Sequence, residues 1–252
     1  MSEPCRTAPP RLIGVGVGPG DPELVTLKAA RLLREADAVL VPATESSGDG
    51  PGRAEQLVTA VAPDTRIIRI PFSMADRRGV TPRREESWQA SATAALELFR
   101  EGAHSVVFAT IGDPSVYSTF SYLAGTVTAQ RPDVVTEVVP GITAMQALAA
   151  ASGTPLCEGT EILALVPATR DLTGLDPVLQ AADSVCLYKG GRQLPAVRAA
   201  LARHGRTGVM GSRLGLPDEE VTRLDALDEA ATGPYLSAVL SVPERHRTGG
   251  AL

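Results

Sequence analysis

Cysteine and histidine, the usual sulfur and nitrogen ligands of protein-bound metals, number only three each in this 252-residue chain. Cys5, Cys157 and Cys186 are far apart, odd in number and without a CxxC spacing, which argues against a disulfide framework or a zinc site. His104, His204 and His246 are equally isolated and read as surface or structural residues, so no protein-bound metal is expected. Basic charge is in short supply: 24 Lys and Arg against 29 Asp and Glu leave a net charge of -5, which gives no support for a nucleic-acid partner. No apolar run approaches the ~20 residues of a membrane span. The first ten residues, "MSEPCRTAPP", lack the charged start and apolar middle of a signal peptide. These absences lead to the expectation of a reduced, cytoplasmic, soluble protein that engages neither membrane nor nucleic acid.

What the chain does contain is a regular alternation. Short β-branched runs such as "RLIGVGV", "DAVLVPA", "TRIIRIPF" and "HSVVFATIGDP" alternate with alanine-rich helical stretches such as "RAEQLVTAVA" and "EESWQASATAALELFREG". Residues 22–36, "PELVTLKAARLLREA", read as one amphipathic helix with Asp21 as N-cap, Pro22 at its first position and Leu24, Leu27 and Leu32 near helical spacing. A second series follows: strands in "EILALVPA", "DSVCLYKG", "RTGVMGSRLG" and "YLSAVLSVP", helices in "TGLDPVLQAA" and "LPAVRAALARHG". The pattern predicts α/β layers around a largely parallel sheet, in two consecutive α/β domains. The Pro/Gly loop "SGTPLCEG" sets the division, giving domains over residues 9–154 and 155–247.

The first loop, "GVGVGPGDP", invites comparison with nucleotide-binding loops. A dinucleotide fingerprint G-x-G-x-x-G takes Gly14 and Gly16 but finds Pro19 in its third place, and Asp37 precedes the second strand instead of ending it. A Walker loop fails as well, because Gly20-Asp21-Pro22 stands where Gly-Lys-Ser/Thr is needed, and Asp21 would repel a phosphate at the helix start. The loop suits close backbone approach to a ligand of little negative charge, or simply a tight capped turn. Two further strands of the first half end in "TIGDPSVYSTF" and "VPGITA", and the second half adds "LYKGG" and "GSRLG". Ligands of α/β sheets sit beyond the carboxyl ends of strands, so five glycine-containing strand ends point to a shared binding cleft.

The set "GVGVGPGDPELVTLKAARLL", "EADAVLVPA", "ATIGDPSVYSTFSYL", "VVPGITAMQALAAASGTPL" and "LYKGGRQLPAVRAAL" resembles the tetrapyrrole (precorrin) methyltransferases, from about Arg11 to Pro243. Within that family, "GDPSVYSTFSYLA" and "CEGTEILALVPAT" are most similar to the precorrin-2 C-20-methyltransferases of cobalamin biosynthesis. The resemblance implies two α/β domains with S-adenosyl-L-methionine in the cleft between them, a homodimer, and a tetrapyrrole substrate. Carried over by position, it implies cofactor contacts at Pro19, Ile111, Gly112, Asp113, Val116, Thr143 and Ala144, and in the second half at Lys189, Leu214 and Ser237. The family often has an apolar residue where Lys189 stands, so this lysine either points away from the sulfonium or serves the acidic substrate. Asp113 either orients the cofactor or caps the turn that follows it.

Methyl transfer of the implied kind is an in-line displacement at a sulfonium carbon. The attacking substrate carbon is enamine-like, so the protein needs no strong nucleophile and supplies chiefly proximity and orientation, worth roughly 7–11 kcal/mol. Charge disperses as the sulfonium becomes a thioether, which favours a dry, weakly polar surround. No catalytic base is assigned. The substrate's carboxylates suggest a clamp from "MADRRGVTPRREES", with Arg77, Arg78, Arg83 and Arg84 as bidentate forks; the other reading of this segment is a solvated loop paired with Glu85 and Glu86. Tyr117 and Tyr122 read as packing residues, the alternative being that one faces the macrocycle or delivers a proton. Still open are cobalt-factor II or uroporphyrinogen III as substrate, and a nucleotide-binding oxidoreductase as a different class.

Overall fold

The computed structural model describes residues 8–43, 50–71, 81–169 and 172–245, with Arg83 described in its main chain alone. The chain divides into two units, Met1–Thr143 and Ala144–Leu252.

In the first unit, strands β1 (Arg11–Gly16), β2 (Ala38–Ala43), β3 (Ile67–Pro71), β4 (Ser105–Thr110) and β5 (Val135–Val139) form one sheet in the order β3-β2-β4-β1-β5. Every pairing is parallel. Such a sheet must be covered on both faces, which explains why β1 and β4 are apolar almost throughout. The period-two alternation sends Leu12, Leu40, Val106 and Phe108 to one face and Ile13, Val15, Val39 and Val107 to the other. Helices α1 (Leu27–Glu35) and α2 (Arg53–Val61) cover the second of these faces, and α3 (Pro82–Arg100) and α4 (Phe120–Gln130) cover the first. The chain therefore leaves the adjacent strands β1 and β4 toward opposite faces. That is the switch point at which open α/β sheets gather their ligand-binding loops.

Two local readings change. Residues 22–36 are not one helix: a 3-10 turn at Pro22–Leu24 precedes α1, which starts afresh with Thr26 as N-cap. Asp21 accepts from the Glu23 N–H at 2.8 Å and so caps the short turn, while Thr26 Oγ1 accepts from Ala29 at 3.2 Å. The second cap rephases the helix, and its buried residues are Ala29, Leu32 and Leu33, whereas Leu27 is 91% exposed. Helix α4, absent from the sequence reading, contains Gly125, Thr126, Val127 and Thr128, all poor helix formers; it is held by Phe120, Leu123 and Val127, which are buried at helical spacing.

The second unit contains α5 (Ala144–Ser152), β6 (Leu163–Pro167), α6 (Leu175–Ala181), β7 (Ser184–Tyr188), α7 (Leu194–Arg203), β8 (Val209–Ser212), β9 (Glu220–Arg223) and β10 (Ser237–Ser241), with strand order β6-β7-β10-β8-β9. Here the expectation of a largely parallel sheet is corrected: only β6–β7 is parallel, and β7–β10, β10–β8 and β8–β9 are antiparallel. The short connection from β8 to β9 leaves no room for a crossover helix, so the pair closes as a hairpin. The edge strand β9, "EVTR", carried no apolar signal. Helices α6 and α7 pack on one face around Leu187 and Val239, and α5 packs on the other with Leu148 against Cys186 and Leu240. That packing places α5 with the second sheet, so the units part after Thr143, earlier than the 154/155 division drawn at the Pro/Gly loop.

Candidate functional site

The carboxyl ends of β1, β4 and β5 are tied main chain to main chain. Gly18 and Gly112 form an isolated antiparallel bridge, with the Gly112 N–H donating to the Gly18 carbonyl at 2.8 Å. The Val17 N–H donates to the Thr110 carbonyl at 2.9 Å. A Cβ on Gly16 would run into the Gly112 carbonyl oxygen and would lie 2.7 Å from both Cα and N of Gly141. A Cβ on Gly141 would meet the same carbonyl and would lie 2.8 Å from Gly16 Cα. Gly112 itself is left-handed, at φ 73°. Three loops thus meet where no side chain fits.

Asp113 locks this junction. It is 7% exposed. Its Oδ1 accepts from the Ser115 N–H at 2.7 Å and from the Ser115 hydroxyl, and its Oδ2 accepts from the Gly141 N–H at 2.9 Å. Burial pushes its pKa up, but the hydrogen bonds from Ser115 and Gly141 outweigh that and hold it below the usual aspartate value. Asp113 therefore caps its own turn and bridges the β4 and β5 loops. Asp37 also has a structural role: its Oδ2 accepts from the His104 and Ser105 N–H groups, both at 2.8 Å, at the start of β4.

The second unit has a smaller junction of the same kind. After β7, Gly190 and Gly191 are buried in a 3-10 turn, Gly190–Gln193. The Gly191 N–H donates to Ser237 Oγ at 2.8 Å, and the Gly191 carbonyl accepts from Gly233 at 2.8 Å. Lys189 is left-handed at φ 63°, and its N–H donates to the Ser237 carbonyl at 2.8 Å.

The residues named from sequence between Pro19 and Ala144 cluster in and next to these loops. Pro19 is buried beside the Gly18–Gly112 bridge, Ile111 packs against the α1–α2 core, and Val116 donates its N–H to the Asp113 carbonyl. Thr143 is buried, with its Cα facing Gly112, and Ala144 opens α5. Ser237 pairs with Ser212 across β10 and β8, two residues before Leu214. Leu214 is buried with Leu148, Cys186 and Leu240, so its side chain belongs to the core. Arg77 and Arg78 lie outside the described residues, and Arg83 and Arg84 stand in the first turn of α3 instead of a loop.

Tyr122 stacks on Trp88 at 4.5 Å between ring centres but is 51% exposed, and Tyr117 is left-handed at φ 51°. His204 Nε2 sits 2.8 Å from Asp176 Oδ1, and His246 lies outside the described residues. Burial pushes the Cys186 thiol up to about 12, which leaves it inert. Among the described residues no cluster of His, Cys, Asp or Glu could hold a metal, and no helix is long and apolar enough to cross a membrane. Sequence reasoning missed Ser115 and Gly141 as the partners of Asp113. The Asp-Pro-Ser spacing, which favours a side-chain bond two residues on, was the available signal for Ser115. Nothing local pointed to Gly141.

A parallel sheet whose strand ends meet through glycine, followed by a mixed sheet with a second glycine junction, defines a two-unit α/β architecture. The chain belongs to the tetrapyrrole (corrin/porphyrin) methylases, whose family model matches residues 11–229. It is 34% identical over 239 residues to a precorrin-2 C(20)-methyltransferase of Sinorhizobium, covering 91% of this chain and 94% of that one. It is 30% identical over 233 residues to a cobalt-precorrin-2 C(20)-methyltransferase of Salmonella typhimurium, covering 91% and 95%. Among solved structures, a uroporphyrin-III C-methyltransferase of Thermus thermophilus complexed with S-adenosylhomocysteine superposes with a TM-score of 0.65 at 25% identity, covering 91% of this chain and 96% of that one.

Proposed function

We propose that this protein methylates C-20 of precorrin-2 with S-adenosylmethionine, giving precorrin-3A in cobalamin biosynthesis. The observation that carries this reading is the 34% identity to the Sinorhizobium C(20)-methyltransferase over nearly the full length of both chains. The chemistry of the loops supports it. S-adenosylmethionine supplies the methyl group. The contacts proposed for it are Pro19, Ile111, Gly112, Asp113, Val116 and Thr143 on the first unit, with Ala144, Leu214 and Ser237 on the second. Pro19, Ile111 and Val116 exclude water, and Gly112 admits close approach of the main chain. Asp113 is held ionised by internal bonds and acts by fixing the loops. The loops offer no strong nucleophile, which suits a reaction whose nucleophile is the substrate carbon.

The test is incubation with S-adenosylmethionine and metal-free precorrin-2, cobalt-factor II or uroporphyrinogen III, with the new methyl group located by mass and NMR. A methyl at C-20 is the expected product; methylation elsewhere, or no S-adenosylhomocysteine formed, overturns the assignment. The protein acts as a cytoplasmic homodimer in this reading. Light scattering should give about twice the 26.2 kDa chain mass, and a monomer, or recovery in a membrane fraction, would reject that part.

A further inference from the structure

Lys189 and Arg192 share one aromatic ring. Lys189 Nζ lies 5.2 Å from the centre of the Tyr235 ring, and Arg192 Cζ lies 5.3 Å from it. Two cations so placed are no further apart than about a Debye length, ~10 Å at 0.1 M salt, and they repel each other. Neither forms an ion pair with any carboxylate among the described residues. Other arginines of the second unit have partners: Arg213 pairs with Asp218 and Glu220, Arg245 with Glu158 and Glu161, and Arg223 with Asp225, while Arg198 and Arg206 donate to main-chain carbonyls.

The pair is also held in place by its surroundings. Lys189 occupies a left-handed backbone conformation that glycine adopts without steric cost and lysine does not, although Gly190 and Gly191 come next. Arg192 lies in the 3-10 turn fixed by Ser237 and Gly233. Lys189 is partly buried and Arg192 exposed, so the cluster reaches solvent. Two cations against one ring, neither paired with a carboxylate among the described residues, attract an anion, and arginine's fork favours a carboxylate. The same charge is misplaced for a sulfonium, which is itself a cation.

We infer that Lys189, Arg192 and Tyr235 form a carboxylate-binding cluster that grips an acidic side chain of the tetrapyrrole. This rests on the reading of the chain as a tetrapyrrole methyltransferase, and it assigns Lys189 to the substrate and not to the methyl donor.

The test measures binding alone, so it stays readable whichever carbon is methylated. Uroporphyrin III, a polycarboxylate tetrapyrrole, is titrated by fluorescence into the full-length protein and into Lys189→Met, Arg192→Gln and the double variant. S-adenosylhomocysteine is titrated in parallel by calorimetry. Each single variant should weaken uroporphyrin binding about tenfold and the double variant further, with the difference shrinking at high salt. S-adenosylhomocysteine affinity should stay within about twofold, and Lys189→Arg should restore tetrapyrrole binding. Unchanged uroporphyrin affinity in the double variant overturns the inference, and so does a parallel loss of S-adenosylhomocysteine affinity.

Discussion

Gly16→Ala is expected to destabilise the protein by about 3 kcal/mol or more, at or above the upper end of the usual range for overpacking. The added methyl meets the Gly112 carbonyl oxygen and the Cα and N of Gly141. All are main-chain atoms, and all belong to loops fixed by their own hydrogen bonds, so no rotamer change relieves the clash. Relief requires the β1 end to move away from β4 and β5, which breaks the Gly18–Gly112 bridge. S-adenosylhomocysteine binding should fall together with stability. Gly125→Ala is the control: nothing lies within 4 Å of the added Cβ, and the position is helical, so the variant should gain about 0.5–1 kcal/mol. Urea denaturation of both variants checks the contrast. A Gly16→Ala protein with the wild-type midpoint would show that the three loops do not hold one another.

Asp113→Asn is expected to cost about 2–4 kcal/mol near neutral pH, despite its identical shape. The carboxylate accepts on both oxygens, from Ser115 on one and Gly141 on the other. An amide keeps one acceptor and turns an N–H toward a donor, leaving a partly buried main-chain N–H unpaired. The effect depends on pH. Because the folded carboxyl is held below its ordinary value, its stabilisation is complete above the unfolded aspartate range, at about pH 4–5 and higher. The stabilisation declines as pH falls through the lower folded value. The gap between wild type and variant should therefore be widest at pH 7 and shrink below about pH 4. Urea midpoints at pH 7, 5, 4 and 3 measure it, and a gap of constant size across that series would refute the assigned role.

Much of the first unit was legible because a parallel sheet leaves strong marks. Strands buried on both faces are apolar along most of their length, as β1 and β4 are, and the glycines that end them stand out against that background. The Asp-Pro-Ser turn could be read in the same way. Leu27 could not be placed, because Thr26 and Asp21 are both adequate caps and only the packing of Leu32 and Leu33 selects the helix phase. Helix α4 was hidden by its low intrinsic propensity and exists through burial of Phe120, Leu123 and Val127.

The second unit was less legible. Its strands were found, but their directions were not, since apolar content does not distinguish parallel from antiparallel neighbours. The same holds for its chemistry: Lys189 was visible as an unusual residue in a glycine turn, whereas Tyr235 lies far along the chain and meets it only through the pairing of β7 with β10.

By itself the sequence determined the class of fold, the loops that end the strands and the family, because each is encoded in contiguous residues: alternation, turn glycines and extended motifs. Tertiary structure alone decided that Gly16, Gly112 and Gly141 touch, that Asp113 bonds across two loops, and that two cations share one ring. Those are contacts between distant segments, and their distances follow from strand order and register, which no local pattern records.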